Sequence, residues 1–189
     1  MIILYGGSFD PVHIGHMIVA NEVYHSFQPE RFIFIPARQS PLKQHRTLAS
    51  DSQRVEMLKL AVTELGFGEV STIEVNRSGE SYTYDTVLEL CQDDADIAVI
   101  IGTDQFEQLD RWHRIDELKK LCYFIIVNRE TEFNVVSEPD VSFQIPRIDI
   151  SSTEIRRRLK SGESVKFWLH ENISTFIRKE HIYEKEKSN

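Results

Sequence analysis

Cysteine is scarce in this sequence: its 189 residues include two, Cys91 and Cys122, each inside an apolar segment and outside a CxxC motif. Two such cysteines cannot build a disulfide scaffold, so we expect free, buried thiols in a reducing compartment. Long apolar runs are also missing, because no stretch approaches the ~18 residues that a membrane span needs. The N-terminal segment 1–7 lacks the basic start and the cleavage site of a signal peptide. We therefore expect a cytoplasmic protein without membrane contact.

Positive charge is in deficit, since 22 Lys and Arg residues against 30 Asp and Glu residues give a formal net charge of −8. Proteins that bind nucleic acid without regard to sequence lean basic, so we expect no nucleic-acid partner. With 41% hydrophobic and 28% charged residues, the composition also excludes a disordered chain. The length and the lack of a repeat or linker predict one domain that covers residues 1–189.

Short apolar runs alternate with helical patterns along the chain. The predicted strands are residues 2–5, 32–35, 97–101 and 123–127, with a weaker one at 70–75. Runs without polar alternation are typical of strands covered on both faces, as in a parallel sheet. The predicted helices are residues 14–27, 51–65, one from Thr83, one with Ile115, Leu118 and Leu121, one after Ser151, and 167–177. This order predicts an α/β, Rossmann-like, doubly wound parallel sheet with C-terminal helices, which binds ligands beyond the carboxyl ends of its strands.

Two segments interrupt this alternation of strands and helices. Residues 36–50 form a long connection with Arg38, Lys43 and Arg46 but no acidic residue. A loop of this length inside a compact domain is often functional. Residues 130–140 are polar, and we interpret them as a surface excursion.

The first chemically informative segment is residues 6–16, directly after the first predicted strand. Gly6 and Gly7 let the backbone turn and approach a ligand with bare N–H groups. The following helix presents its N-terminus, which favours anions, to the same place. His13 and His16 are three residues apart at that helix start and can share a face. The segment lacks both a Walker A pattern and a GxGxxG pattern, so we interpret it as a different kind of phosphate site.

The second informative segment is residues 150–160. Ser151 and Ser152 fit the N-cap of a helix, with Glu154 on its first turn. Four basic residues and one acidic residue lie between Ser151 and Lys160, although the whole chain is acidic. A basic helix in an acidic protein indicates a focused site for a polyanion, while the alternative is a solvated basic face.

Two further segments follow predicted strands and should lie on the same edge of the sheet. In residues 79–86, Thr83 is a good N-cap candidate. In the other, Gly102 and Asp104 follow a buried strand, where a carboxylate could bind a ribose hydroxyl. Trp112 could stack on a flat ring, and its alternative role is core packing.

A metal site is the alternative for the first segment, because Asp10, His13 and His16 could offer three ligands. A zinc site usually shows a further spaced ligand, and neither cysteine is nearby in sequence. We therefore expect no protein-bound metal here.

Together these segments resemble a known family. Residues 6–16 resemble the GxFDPxHxGH pattern of the nucleotidyltransferase superfamily, and residues 150–156 resemble its ISSTxIR pattern. Residues 81–86 and 102–104 with Trp112 resemble the bacterial nicotinate mononucleotide adenylyltransferases within it, and the likeness extends over essentially the whole chain. One departure lies in the long loop, which commonly reads Pro-Pro-His-Lys in the family and here has Leu42 before Lys43.

The resemblance implies an enzyme of NAD biosynthesis that transfers AMP from ATP to nicotinate mononucleotide, giving deamido-NAD and pyrophosphate. The substrate phosphate would attack the ATP α-phosphorus in line, without a covalent intermediate, so catalysis would rest on positioning and electrostatics. Mg²⁺ would be bound mainly through the ATP phosphates and water. The implied partners are therefore ATP and nicotinate mononucleotide, and assembly as a homodimer stays open.

The resemblance also assigns roles to residues of this sequence. The implied catalytic residues at the reacting phosphates are His13, His16, Lys43 and Arg157. The implied ATP-binding residues are Gly6, Gly7, Ser8, Phe9, Gly102, Asp104, Ser151, Ser152, Thr153 and Arg156. The implied residues at the nicotinate end are Thr83, Tyr84 and Trp112.

Rival functions come from several classes. The acceptor could instead be phosphopantetheine, nicotinamide mononucleotide or a cytidylyl acceptor. A non-catalytic nucleotide sensor would predict a damaged motif, yet both motifs are intact. A metal hydrolase would use His13 and His16 as ligands.

Overall fold

The computed structural model describes residues 1–39, 47–90, 96–128 and 137–184. Within these ranges six strands form one parallel sheet in the order β3-β2-β1-β4-β5-β6. The strands are β1 (Ile2–Gly7), β2 (Arg31–Pro36), β3 (Glu69–Val70), β4 (Ile97–Gly102), β5 (Tyr123–Asn128) and β6 (Val141–Gln144). The predicted α/β class and parallel sheet are confirmed.

Eight α-helices connect or follow the strands in the described part of the chain. They are α1 (Ile14–Phe27), α2 (Asp51–Leu65), α3 (Ile73–Asn76), α4 (Thr83–Leu90), α5 (Thr103–Phe106), α6 (Ile115–Leu118), α7 (Ser152–Ser161) and α8 (Glu171–Lys179). A 3₁₀ turn covers Leu109–Arg111. None of the described helices is long and apolar enough to cross a bilayer.

Both faces of the sheet are buried, which explains the uninterrupted apolar runs. In β2, Phe32 and Phe34 pack on one face with α1, α2 and α8, while Ile33 and Ile35 pack on the other face with α4 and α6. The other central strands divide between the two clusters in the same alternating way. This arrangement is the one expected for a parallel sheet covered by helices on both sides.

Several predicted boundaries are wrong. The partly alternating residues 70–75 were expected to form a weaker strand, but only Glu69–Val70 pair with β2, and Ile73 begins a short helix. Residues 167–177 were expected to be helical throughout, yet Phe167 has a left-handed φ of 67° and α8 begins only at Glu171. His170 ends the extended stretch because its side chain accepts a hydrogen bond from the N–H of Asn172.

Smaller corrections concern the segments between strands. The helix with Ile115 and Leu118 stops before Leu121. Strand β6 was not expected, since its burial is only partial and the sequence shows no apolar run there. Of the two cysteines, Cys122 is buried, while Cys91 lies outside the described residues.

The strand order places a crevice between β1 and β4. From β1 the chain continues outward to β2 and β3, whereas from β4 it continues to β5 and β6 in the opposite direction. The connections therefore diverge at the carboxyl ends of β1 and β4, and ligands of open α/β sheets bind at such a switch point.

Candidate functional site

A cavity of about 420 Å³ opens at this switch point. Its walls come from the end of β1, the segments after β2 and β4, the start of α4, and the 3₁₀ turn with the residues that follow it. The predicted site residues that line it are Gly6, Gly7, Ser8, Thr83 and Trp112. The volume lies within the range typical of small-molecule sites.

The glycine-rich end of β1 forms one wall. Gly6 is open, since a Cβ built there would meet nothing within 4 Å, whereas a Cβ on Gly7 would come to 3.0 Å from the Phe9 ring. Phe9 has a left-handed φ of 46°, and its ring is buried in the core beside Tyr5 and Phe34. The structure therefore places the Phe9 side chain underneath the turn, where it supports the backbone, rather than along the cavity.

The two histidines stack at the start of α1. Their ring centroids are 3.7 Å apart, and the N–H of His13 donates to Nδ1 of His16 at 3.2 Å. Because Nδ1 accepts this bond, the proton of a neutral His16 imidazole lies on Nε2. Gly15 makes the stacking possible, since a Cβ there would lie 3.1 Å from the His13 ring. The His-x-Gly-His spacing thus has a steric cause.

The second motif docks onto the first. Ser151 caps α7 by accepting the N–H of Glu154. Ser152 donates its hydroxyl to the carbonyl of Pro11 at 2.9 Å, and Arg156 donates to the carbonyl of Asp10 at 2.7 Å. The N-termini of α1 and α7 therefore lie side by side, although the contacts join residues more than 140 positions apart. Two helix N-termini at one place form an anion-binding region.

Asp10 is fully engaged in structural contacts. Its carboxylate accepts the backbone N–H groups of Leu48 and Ala49, and the hydroxyl of Tyr183 at 2.7 Å. The Arg156 guanidinium lies 3.7 Å from the same carboxylate. No group of three or more His, Cys, Asp or Glu side chains suited to a metal occurs among the residues that the structure describes. The contacts of Asp10 therefore fix the turn that precedes α1.

Arg157 points to the solvent side of α7. Its guanidinium binds the carboxylates of Glu154 and Glu163, and these bonds lower the pKa of both glutamates to about 2. Thr153 is exposed and accepts a hydrogen bond from Arg156. The structure thus brings Ser152 and Arg156 to the histidine motif, while the side chain of Arg157 is held by two acidic partners.

At the other end of the cavity, Thr83 is the first residue of α4 rather than its expected N-cap. The neighbouring Tyr84 is 7% exposed, and its ring packs in the core with the Arg114 guanidinium 4.2 Å above it. Thr83 lines the cavity and Tyr84 does not. A ligand therefore meets the start of α4 through Thr83 and the preceding residues.

Trp112 combines the two roles weighed from the sequence. Its ring packs edge-on against Phe124 at 6.1 Å, and it also lines the cavity. Its Nε1–H is buried without a hydrogen-bond partner in the described ranges. A buried donor beside a cavity is available to a ligand and is costly to leave unsatisfied.

Gly102 and Asp104 were predicted to bind ATP, and neither lines the cavity. Gly102 ends β4 and Asp104 lies in α5, whereas Gln105, whose side chain accepts the Gly102 N–H, lines the cavity. Lys43 lies in residues 40–46, outside the described residues.

Two residues of the site escaped sequence reasoning. Arg54 is fully buried and donates to the carbonyl of Ser8 at 2.7 Å, so it fixes the glycine-rich turn from behind. In the sequence, the position of Arg54 beside the apolar stripe of α2 could have indicated that its side chain is buried. Glu74 is 8% exposed and lines the cavity, but a single glutamate in a weakly patterned segment gave no signal.

Comparisons with known proteins agree with this architecture. The cytidylyltransferase-like family model matches residues 4–158. A protein of Staphylococcus epidermidis is 47% identical over 184 residues, covering 96% of each chain, and one of Staphylococcus haemolyticus is 46% identical over 97% of this chain and 96% of its own. Both carry the name "probable nicotinate-nucleotide adenylyltransferase".

Solved structures show the same fold. The nicotinic acid mononucleotide adenylyltransferase of Plasmodium falciparum, complexed with NaAD, superposes with a TM-score of 0.79 over 96% of both chains. Its sequence is 21% identical, so this likeness concerns the fold.

Proposed function

The chain belongs to the cytidylyltransferase-like family and, within it, to the nicotinate-nucleotide adenylyltransferases, and on that premise we propose that it adenylylates nicotinate mononucleotide with ATP. The products are deamido-NAD and pyrophosphate, and the pathway is NAD biosynthesis. The relatives in two Staphylococcus species, 47% and 46% identical, support this assignment.

One observation of the structure carries the proposal. The cavity with Trp112 and Thr83 opens beside the glycine-rich turn, and that turn leads directly into the paired helix N-termini of α1 and α7. A cavity lined by an indole ring, hydroxyl groups and backbone, next to an anion-binding region, matches a pyridine nucleotide that must meet a triphosphate. Aromatic rings and buried donors suit the pyridine, and free helix N–H groups suit phosphates.

The reaction needs positioning more than chemical groups from the protein. The 5′-phosphate of the mononucleotide forms a new P–O bond to the ATP α-phosphorus, and the bond to the β-phosphate breaks, so pyrophosphate leaves with its electron pair. The nucleophile is already anionic, and the protein must hold two polyanions together and stabilise the developing charge.

Each part of the phosphate region has a role in this proposal. His16 donates Nε2–H, His13 stacks on it and orients it, and Ser152 and Arg156 hold the two motifs together beside the β- and γ-phosphates. Lys43 and Arg157 remain predictions for the reacting phosphates. Mg²⁺ enters as the complex with ATP, held by phosphate oxygens and water.

At the pyridine end, the backbone at the start of α4 would take the carboxylate of the nicotinate, since helix N-termini favour anions. Trp112 would lie against the ring and use its Nε1–H. The cytoplasmic location also belongs to the proposal.

The proposal is tested by incubating the purified protein with ATP, Mg²⁺ and either nicotinate or nicotinamide mononucleotide while pyrophosphate release is followed. We expect much faster release with the acid. Equal rates would retain the adenylyltransferase and discard the account of carboxylate recognition. No release with either acceptor would refute the proposal, and phosphopantetheine would be the next acceptor to try.

A further inference from the structure

Glu74 places a carboxyl group in the wall of the cavity that the proposed function gives to the pyridine end. The residue lies on α3, is 8% exposed, and shares the cavity with Thr83 and Trp112. An anionic substrate bound there would meet a second carboxyl group of the same sign. Two carboxylates in one confined site cannot both stay ionised without cost.

The surroundings of Glu74 leave its charge without an ion-pair partner. Thr86 donates its hydroxyl to the carboxyl at 2.8 Å, and Ser81 donates a second hydroxyl. Arg77 is the nearest cation, but its guanidinium binds Glu89 and Thr86, and no salt bridge to Glu74 occurs in the described part of the chain. Burial therefore dominates and raises the pKa of Glu74, against the weaker effects of the two hydroxyls and Arg77.

Other charged or titratable groups face the same cavity from neighbouring segments. Arg111 in the 3₁₀ turn, His113 after it, and Tyr82 before α4 also line the cavity. The phenol of Tyr82 donates to Glu80, which raises the pKa of Tyr82. Arginine does not change charge near neutral pH, so His113 is the one alternative proton acceptor among these cavity groups.

We propose that Glu74 is a specificity-determining residue, which binds a proton when a pyridine carboxylate enters the cavity and stays ionised when a pyridine amide enters. This inference rests on the proposed function, because it assumes that the cavity takes the pyridine ring. Protonated Glu74 can donate a hydrogen bond to the carboxylate of the ligand, whereas ionised Glu74 repels that carboxylate. Ionised Glu74 can accept an N–H from the amide.

The linkage has a definite sign. A ligand that binds the protonated form better takes up a proton, and its affinity falls as pH rises. Above the pKa of Glu74 in the free protein, the affinity for the acid should fall by up to roughly tenfold per pH unit. The affinity for the amide should stay flat or rise. Selectivity for the acid therefore increases towards lower pH.

The test uses the reaction product deamido-NAD and its amide counterpart NAD, since neither carries a phosphate that titrates near neutral pH. Binding of each to the wild-type protein is measured by calorimetry at one pH in two buffers of different ionisation enthalpy. We expect uptake that approaches one proton for deamido-NAD and none for NAD.

Glu74→Gln keeps the shape and the acceptor for Thr86 but cannot titrate, so proton uptake with deamido-NAD should vanish. Its affinity for the acid should become independent of pH. Glu89→Gln is the matched control, because Glu89 is exposed, also binds Arg77, and lies outside the cavity. The control should keep the wild-type uptake. His113→Asn should keep it as well.

The outcomes separate this inference from the proposed function. Deamido-NAD binding without proton uptake, or uptake that persists in Glu74→Gln or disappears in His113→Asn, overturns the inference and leaves the adenylyltransferase intact. Absence of both deamido-NAD binding and pyrophosphate release overturns the proposed function and the inference with it. If Glu74→Gln does not fold, the wild-type contrast between acid and amide together with His113→Asn still decides.

Discussion

The hydrogen bond between Tyr183 and Asp10 ties the C-terminal end of the described chain to the turn that precedes the histidine motif. The phenol donates to Oδ1 at 2.7 Å, and both residues are buried, with exposures of 8% and 4%. Tyr183→Phe removes this hydroxyl and keeps the ring. Asp10 then retains only the backbone N–H groups of Leu48 and Ala49 and the more distant Arg156.

The expected loss follows from the charge on the acceptor. A buried hydrogen bond to an ionised group contributes about 1.5–3 kcal/mol, so the free energy of unfolding should fall by that amount. For a chain of this size the melting temperature should fall by roughly 3–12 °C. Burial and the Asp10 charge also raise the pKa of Tyr183 far above its ordinary value. The contribution of the phenol is therefore present at neutral pH and is lost as pH rises above about 10, where the unfolded tyrosine ionises.

Urea denaturation at pH 7 and pH 10.5 measures both effects. Tyr24→Phe is the control, since the Tyr24 ring stacks on Phe67 at 3.8 Å and its hydroxyl makes no hydrogen bond within the described residues. We expect a clear gap between wild type and Tyr183→Phe at pH 7, a smaller gap at pH 10.5, and little change for Tyr24→Phe. A loss below about 0.5 kcal/mol at pH 7 with an unchanged denaturant slope would refute the reasoning.

Four further changes test other parts of the structure. His16→Ala should reduce turnover about 10²–10³-fold with an unchanged circular dichroism spectrum, and a near-wild-type rate would remove His16 from the phosphate site. Gly15→Ala should lower turnover about tenfold or more, because the added Cβ displaces the His13 ring. The stability of α1 should not fall, since alanine favours a helix more than glycine does. Glu22→Ala, at an exposed position of the same helix, is the control and should keep the wild-type turnover. Trp112→Phe should raise KM for nicotinate mononucleotide about fivefold, because the substrate loses the hydrogen bond from Nε1–H. The stability of the free protein should not fall, because the substitution removes an unsatisfied buried donor. An unchanged KM would contradict the role of Nε1. In acid titrations followed by circular dichroism, Glu163→Gln should lose less stability than wild type between pH 4.5 and about 2, because Glu163 is charged there only in the folded protein.

The fold was predictable where local pattern and tertiary environment agree. The four central strands are buried on both faces, so their sequences are apolar throughout, and the capping box of Ser50 and Gln53 marks the start of α2. Prediction failed where tertiary contacts decide. The partial alternation of residues 70–75 favours a strand, but β2 pairs only with Glu69 and Val70, and Ile73 begins α3.

The site divides in the same way. The motif residues Gly6, His13 and His16 could be proposed from the sequence because their types and spacing follow from steric and electrostatic needs near one strand end. Arg54 and Glu74 act through contacts with residues distant in sequence, Ser8 and Thr86, and no spacing rule reveals such pairs. Phe9 was expected along the nucleotides, but its left-handed backbone sends the ring into the core.

The turn at residues 8–11 accepts hydrogen bonds from three side chains that lie far apart in the sequence. The two motifs can therefore be distant in sequence and still form one site. Arg54 of α2 binds the carbonyl of Ser8, Arg156 of α7 binds the carbonyl of Asp10, and Tyr183 binds the Asp10 carboxylate. A backbone turn with bare carbonyl groups in a buried position needs such donors, since unsatisfied carbonyls are costly. Each donor comes from a different segment, and all three segments pack in the same core cluster on one face of the sheet. The phosphate region therefore assembles only when the C-terminal helices have packed onto the sheet, and truncation before Tyr183 should weaken the site together with the fold.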